Sequence, residues 1–209
     1  MSSTSAQQQQ APAPWRDTFL SHINTMPSPE FVLATLHPAP KGSPTPYLPR
    51  ARTCIFRGFW GELPENKHND APQNARVFES DLPTFTTDVR MQKAGEVFAS
   101  SAGKADDDSL VQGSGGGGWC EAVWWAKEPS VQWRVRGRAF VVARDIEGEQ
   151  GSEEGSGVRT VKSEVGGRMR VVSGKEEEKG EWSWGKELTA HFGNMSPTSK
   201  GAWSHVDVL

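Results

Sequence analysis

Val131, Trp133, Val135, Ala139 and Val141 alternate with Gln132, Arg134, Arg136 and Arg138, a period of two that only a β-strand with one buried face satisfies. The run Trp119 to Ala126 precedes it across Lys127-Glu128-Pro129-Ser130, so the two read as a hairpin extending to Arg144. One face of this hairpin belongs to a core and the other carries a Gln/Arg row. Further strands are predicted at Glu30 to Leu36, Arg52 to Trp60 and Thr84 to Thr87, with brief pairing at Arg76 to Glu79 and a weak candidate at Arg168 to Val172. Trp15, Phe19, Ile23 and Met26 recur at helical spacing behind Pro14, which predicts a helix of about three turns ending before Pro27. Shorter helices are expected from Val89 to Ala99 and from Lys186 to Phe192. There is no alternating βα pattern and no GxGxxG behind a strand, so a Rossmann sheet is disfavoured. The expected class is mainly β (α+β): an antiparallel barrel with a few peripheral helices.

Of the 209 residues, roughly 140 can build a core once biased stretches are set aside, enough for one domain. Residues 1–14 are rich in Ser, Gln, Ala and Pro and read as a disordered tail, leaving 15–209 as a single domain. Pro38 to Pro49 and Gly61 to Ala75 read as loops, and the Gly-, Glu- and Lys-rich stretches at about 101–118 and 145–180 read as flexible insertions. Asp106-Asp107-Asp108 falls in the first insertion, where nothing rigid converges the carboxylates on a metal. A net charge of −3 argues against broad nucleic-acid binding. Cys54 and Cys120 lack metal-ligand spacing and read as reduced core residues. With no apolar run of membrane-spanning length and no hydrophobic signal core, the expectation is a soluble cytoplasmic protein.

Any anion site must therefore be local. Arg52-Thr53-Cys54-Ile55-Phe56-Arg57, Thr86-Thr87-Asp88-Val89-Arg90 with Lys93, and Gln132-Trp133-Arg134 place cations and hydroxyls beside β-forming residues, where strand ends hold them rigidly enough for a phosphate. Simpler readings compete: Thr87 or Asp88 as a helix cap, and the arginines as solvated strand-face residues. Arg136 and Arg138 are read that way, the nine tryptophans as mostly core, and His22, His37, His68 and His205 carry no partner pattern. Arg52 and Arg57 are five apart, so a regular strand points them to opposite faces.

Taken in order, Pro14-Trp15-Arg16, Arg52 to Phe59, Thr87-Asp88-Val89-Arg90 with Lys93, and Gln132-Trp133-Arg134-Val135 with Gly137 resemble the Alr4036-type branch of the pyridoxamine 5'-phosphate oxidase-like flavoproteins. The resemblance covers about residues 14 to 144, with a weaker echo from Trp182 to Trp203. It implies an FMN-binding split β-barrel that forms a homodimer. It further implies FMN contacts from Arg52, Thr53, Cys54, Ile55, Phe56, Arg57, Thr86, Thr87, Arg90, Lys93 and Gln132, and substrate contacts from Arg57 and Ser199. His191 stands where related oxidases have a tyrosine, and their substrate arginine has no clear counterpart here. The family pattern continues with a strand carrying a Trp and an Arg that this sequence does not contain, so it reads as a shortened form or one that has lost part of the site.

The function implied is an FMN-dependent oxidoreductase acting on a pyridoxamine phosphate-like or other small substrate, with no catalytic residue assigned. The alternatives are an FMN-binding protein without oxidase activity and, further off, a β-barrel interaction or RNA-binding module.

Overall fold

The computed structural model describes residues 11–88, 90–102, 113–148, 157–195 and 205–208. Its strands are β1 (Glu30–Pro38), β2 (Tyr47–Ile55), β3 (Phe78–Glu79), β4 (Thr84–Thr87), β5 (Gly115–Ala126), β6 (Val131–Val142), β7 (Arg170–Val171) and β8 (His205–Val208). The helices are α1 (Arg16–Ile23), α2 (Gln92–Ala102), α3 (Gly157–Glu164) and α4 (Trp184–Gly193). Six strands form one sheet in the order β2-β1-β5-β6-β8-β4, with every pairing antiparallel, and β3 pairs with β7 beside it.

The predicted hairpin is the centre of this sheet: β5 and β6 pair from Ala126↔Val131 to Gly115↔Val141. Along β6, residues 132, 134, 136 and 138 are exposed and the intervening ones are not, as the alternation requires. The chain beyond β2 departs from the prediction. The strand expected over Arg52 to Trp60 starts earlier, at Tyr47, and stops at Ile55. Gly58 then takes φ 97°, and a Cβ there would lie 2.6 Å from Pro64 Cδ, so the turn needs glycine. The turned segment crosses to the far end of the sheet. Arg57 N donates to Thr84 O (2.8 Å), Thr84 N to Gly58 O (2.9 Å) and Trp60 N to Leu82 O (2.9 Å), so the sheet curls until its ends meet.

Regular structure extends into both stretches that composition marks as insertions. Gly115 to Gly118 open β5 with a register shift between Gly116 and Gly118. Gly116 adopts φ 97°, and a Cβ there would sit 2.6 Å from Val97 Cγ1, so glycine here lets α2 press against the strand. In the second stretch Val158, Val161 and Val165 face inward from α3 and the turn after it, a helical spacing that the Gly/Glu/Lys composition masks. β7 falls within the weak candidate, whereas β8, only four residues long, has no clear sequence signal. Residues 1–10, 103–112 and 149–156 lie outside the described residues.

Two apolar clusters fill the molecule. Phe19, Phe31, Leu33, Phe56, Phe59, Phe85, Val97 and Trp124 lie between the sheet's concave face and helices α1 and α2, with Phe19 edge-on to Trp124 at 5.2 Å. Trp60, Phe140, Val142, Ile146, Val161, Leu188 and Val208 form the second cluster beneath α3 and α4. An ionic network ties α1 down. Arg16 contacts Glu62 (2.6 Å) and Asp81 (2.8 Å), Arg170 contacts Asp81 and Glu79 (both 2.7 Å), and Arg76 contacts Glu62 (2.8 Å).

Candidate functional site

Strand periodicity sorts the segment 52–57. Cys54 and Phe56 enter the core at 8% exposure, and Arg52 shares their inward face, opposite Leu33 of β1. Thr53 and Ile55 lie on the outer face, and Arg57 follows the strand's end. The two arginines consequently have separate surroundings.

Arg52 points into a buried polar cluster. Its Nη2 donates to Glu96 Oε2 of α2 at 2.5 Å, and its Nη1 donates to the Thr35 hydroxyl, which in turn donates to Glu96 Oε2. His37 Nδ1 lies 3.1 Å from Glu96 Oε1. The Glu96 side chain is 1% exposed and that of Arg52 is 22%. Sequence reading passes over Glu96 and Thr35 and finds no partner pattern for His37, which the structure pairs with Glu96; the available signal was that Glu96 follows Lys93 by almost one helical turn.

β4 delivers Thr86 and Thr87, both buried, to the entry of α2. The Thr87 hydroxyl and Lys93 Nζ meet at Met91 Sδ, at 4.0 and 2.8 Å, and Lys93 is itself buried. Asp88 shapes the turn between strand and helix, accepting from Arg90 N at 2.9 Å. The Arg90 guanidinium chelates the same carboxylate, which raises its already high pKa, yet its side chain is 76% exposed. The hydroxyls of β4 and the Lys93 ammonium thus stand at the N-terminal end of α2, where free N–H groups and the helix dipole favour negative charge.

Arg57 opens on a cavity of about 420 Å³ lined by Asn24, Met26, Phe56, Pro64 and Asn194. Its Nε is buried without a hydrogen-bond partner, and burial lowers its pKa. Gln132 is exposed on the outer face at the hairpin's start, opposite Trp125, and no described contact joins it to Arg52 or Lys93. Ser199 lies outside the described residues. His191 is far from the role its sequence position suggests. It is fully buried in α4 and stacks on Trp60 at 5.4 Å and 12°.

A family model described as pyridoxamine 5'-phosphate oxidase, FMN-binding domain, matches residues 12–143, well over half the chain. The chain belongs to this family. The match spans α1 through β6 and so contains the hairpin, Arg52, Thr86, Thr87 and Lys93. Among solved structures, a pyridoxamine 5'-phosphate oxidase-related, FMN binding protein from Nostoc punctiforme shares 16% identity, covering 96% of this chain and 82% of that one with a TM-score of 0.43. No curated protein matches.

FMN is the cofactor of this pyridoxamine 5'-phosphate oxidase-type domain, and its architecture is the antiparallel split-barrel arrangement with peripheral helices. The residues present suit a flavin phosphate. Arg52 has five N–H groups, of which its contacts to Leu33 O, Thr35 and Glu96 engage three. The buried Lys93 ammonium adds a second fixed cation beside two threonine hydroxyls. Among the described residues no helix is long and apolar enough to cross a membrane, and no group of His, Cys, Asp and Glu is arranged for a metal.

Proposed function

We propose that this chain binds FMN through Arg52, Thr86, Thr87, Arg90 and Lys93 and acts as an FMN-dependent oxidoreductase on a small, anionic, pyridoxamine phosphate-like substrate. The observation that carries the reading is the buried Lys93 held beside Thr87 at the entry of α2, in a domain whose family binds FMN. Lys93 and Arg52 supply charge from fixed positions. Arg90 is paired to Asp88 across an exposed surface, where such pairs are worth about 0–1 kcal/mol, so it can turn to a phosphate at little cost. Arg57, with its unpartnered Nε facing a cavity, is the group to hold a substrate carboxylate or phosphate, with Ser199 as the second contact suggested by the sequence pattern. Bound FMN supplies the hydride acceptor, and the protein needs no acid or base of unusual pKa.

Purified protein is expected to show flavin absorption bands after incubation with FMN. Lys93→Ala is expected to weaken FMN binding roughly 10-fold or more at unchanged circular dichroism, the loss of one charge-assisted contact. A preparation that stays colourless in excess FMN overturns the reading.

FMN binding without oxidase activity is the second reading, supported by His191 being sealed against Trp60 instead of facing a cavity. Pyridoxamine 5'-phosphate added without oxygen bleaches the flavin on the first reading and leaves it oxidised on the second.

A homodimer accompanies both. The outer sheet face exposes Val32 (43%), Trp119 (58%) and Trp125 (55%) around the Glu121–Arg134 ion pair, an apolar surface with both charge signs that a second copy can cover. Gln132, on that face, is placed to contribute to a flavin shared with the second copy. Light scattering should give twice the chain mass, and Trp125→Glu the monomer mass.

A further inference from the structure

Glu96 is a buried carboxylate that the reading above leaves without a role. Its Oε2 accepts from Arg52 and Thr35, and its Oε1 faces His37, so both oxygens are occupied and the carboxylate makes the fixed end of the cluster. The residues it joins come from β1 and β2, already paired in the sheet, and from α2, which packs on that sheet. Arg52 (22% exposed) and His37 (33%) are the partners with outward access, and Arg52 is the one with spare N–H donors.

We infer that Glu96 is a positioning residue for the cofactor phosphate: it holds the Arg52 guanidinium in one orientation. The inference rests on the FMN reading and deepens it. Two effects of Glu96 oppose each other. Its negative charge repels a phosphate, whereas its bonds pre-pay the ordering of an arginine side chain that would otherwise swing into solvent. The second prevails because the carboxylate is sealed at 1% exposure and is already neutralised locally by Arg52, while the guanidinium has no other charged partner among its contacts. Glu96→Gln keeps one acceptor oxygen in place of two and removes the charge, so the contacts that survive are neutral and the guanidinium loses its charged anchor.

Full-length protein and its Glu96→Gln variant are titrated with FMN and, separately, with riboflavin, which lacks the phosphate, following flavin fluorescence. The expected result is FMN binding weakened ~10-fold with riboflavin binding unchanged. The effect should vanish in an Arg52→Gln background, since the two residues act as a unit. Equal losses for both ligands, unchanged FMN binding or tighter FMN binding each overturn the inference. Wild-type protein that binds neither ligand overturns the FMN reading itself, and the inference with it. Should Glu96→Gln not fold, Thr35→Val carries the test. It removes the hydroxyl shared by Arg52 and Glu96 at nearly constant volume, and the same selective loss of FMN over riboflavin is expected.

Discussion

Arg170→Ala is expected to cost about 3–5 kcal/mol of folding stability, the range for removing one partner of a buried ion pair. The Arg170 side chain is 5% exposed and grips Asp81 with both terminal nitrogens, at 2.7 and 3.1 Å, while its Nε reaches Glu79 at 2.7 Å. Three arginines (16, 76 and 170) face three carboxylates (Glu62, Glu79 and Asp81), so the network is balanced; without Arg170 three acids face two cations, Asp81 keeping Arg16 and Glu79 only the more distant Arg76 at 3.6 Å. Burial pushes the Asp81 carboxyl upward, but the bonds from Arg170, Arg16 and Ala13 N outweigh it and hold the group below the usual range. For a chain of 209 residues the loss corresponds to a fall in Tm of about 10 °C. Arg170→Met should recover little, because it restores volume but leaves three acids facing two cations. A Tm change under about 2 °C for Arg170→Ala would show that the network is not worth its desolvation.

Nothing in the sequence announces that network. Arg16 sits one residue past Trp15 and reads as the polar side of an amphipathic helix, while Arg170 lies in a Gly- and Glu-rich stretch. The turn and the facing of the hairpin, by contrast, were legible, because eight residues of alternation along β6 leave one way to place the faces. The glycines at 115 to 118 misled for a definite reason. Composition cannot separate a glycine that is loose from one that a neighbouring helix presses against, and only the position of Val97 decides it.

The site was half legible. Local motifs gave the cations, and strand parity separated Arg52 from Arg57, as the structure bears out. What could not be read was the carboxylate partner that Arg52 would find, since Glu96 reaches it across 44 residues of sequence. His191, read from the sequence as a departure from the family's tyrosine, carries no signal there that the helix turns its side chain into the core. Trp60 captures its ring, which fixes α4 with His191 inward.

That inward face makes the second large prediction. Glu187 lies one turn before His191 on α4, its Oε2 accepting from Asn74 Nδ2 at 3.0 Å and its Oε1 standing 3.6 Å from His191 Nε2, with both side chains at or below 4% exposure. Burial pushes the Glu187 carboxyl upward, but His191, Asn74 and the Gly61 N–H outweigh it, so the folded-state pKa lies below the usual glutamate value. A depressed carboxyl contributes stability that is fully present above the unfolded pKa, near pH 4.3, and lost as pH falls through the folded one. Glu187→Ala should therefore cost about 3 kcal/mol at pH 7, from the vacated volume together with the unpaired Asn74 and His191. In urea titrations the gap between wild type and variant should hold from pH 7 to about 5 and narrow toward pH 3. The volume part of the cost does not titrate, so only the ionic part can close. A gap that stays constant down to pH 3 would mean that Glu187 is buried as the neutral acid and adds no ionic term to the packing that holds α4.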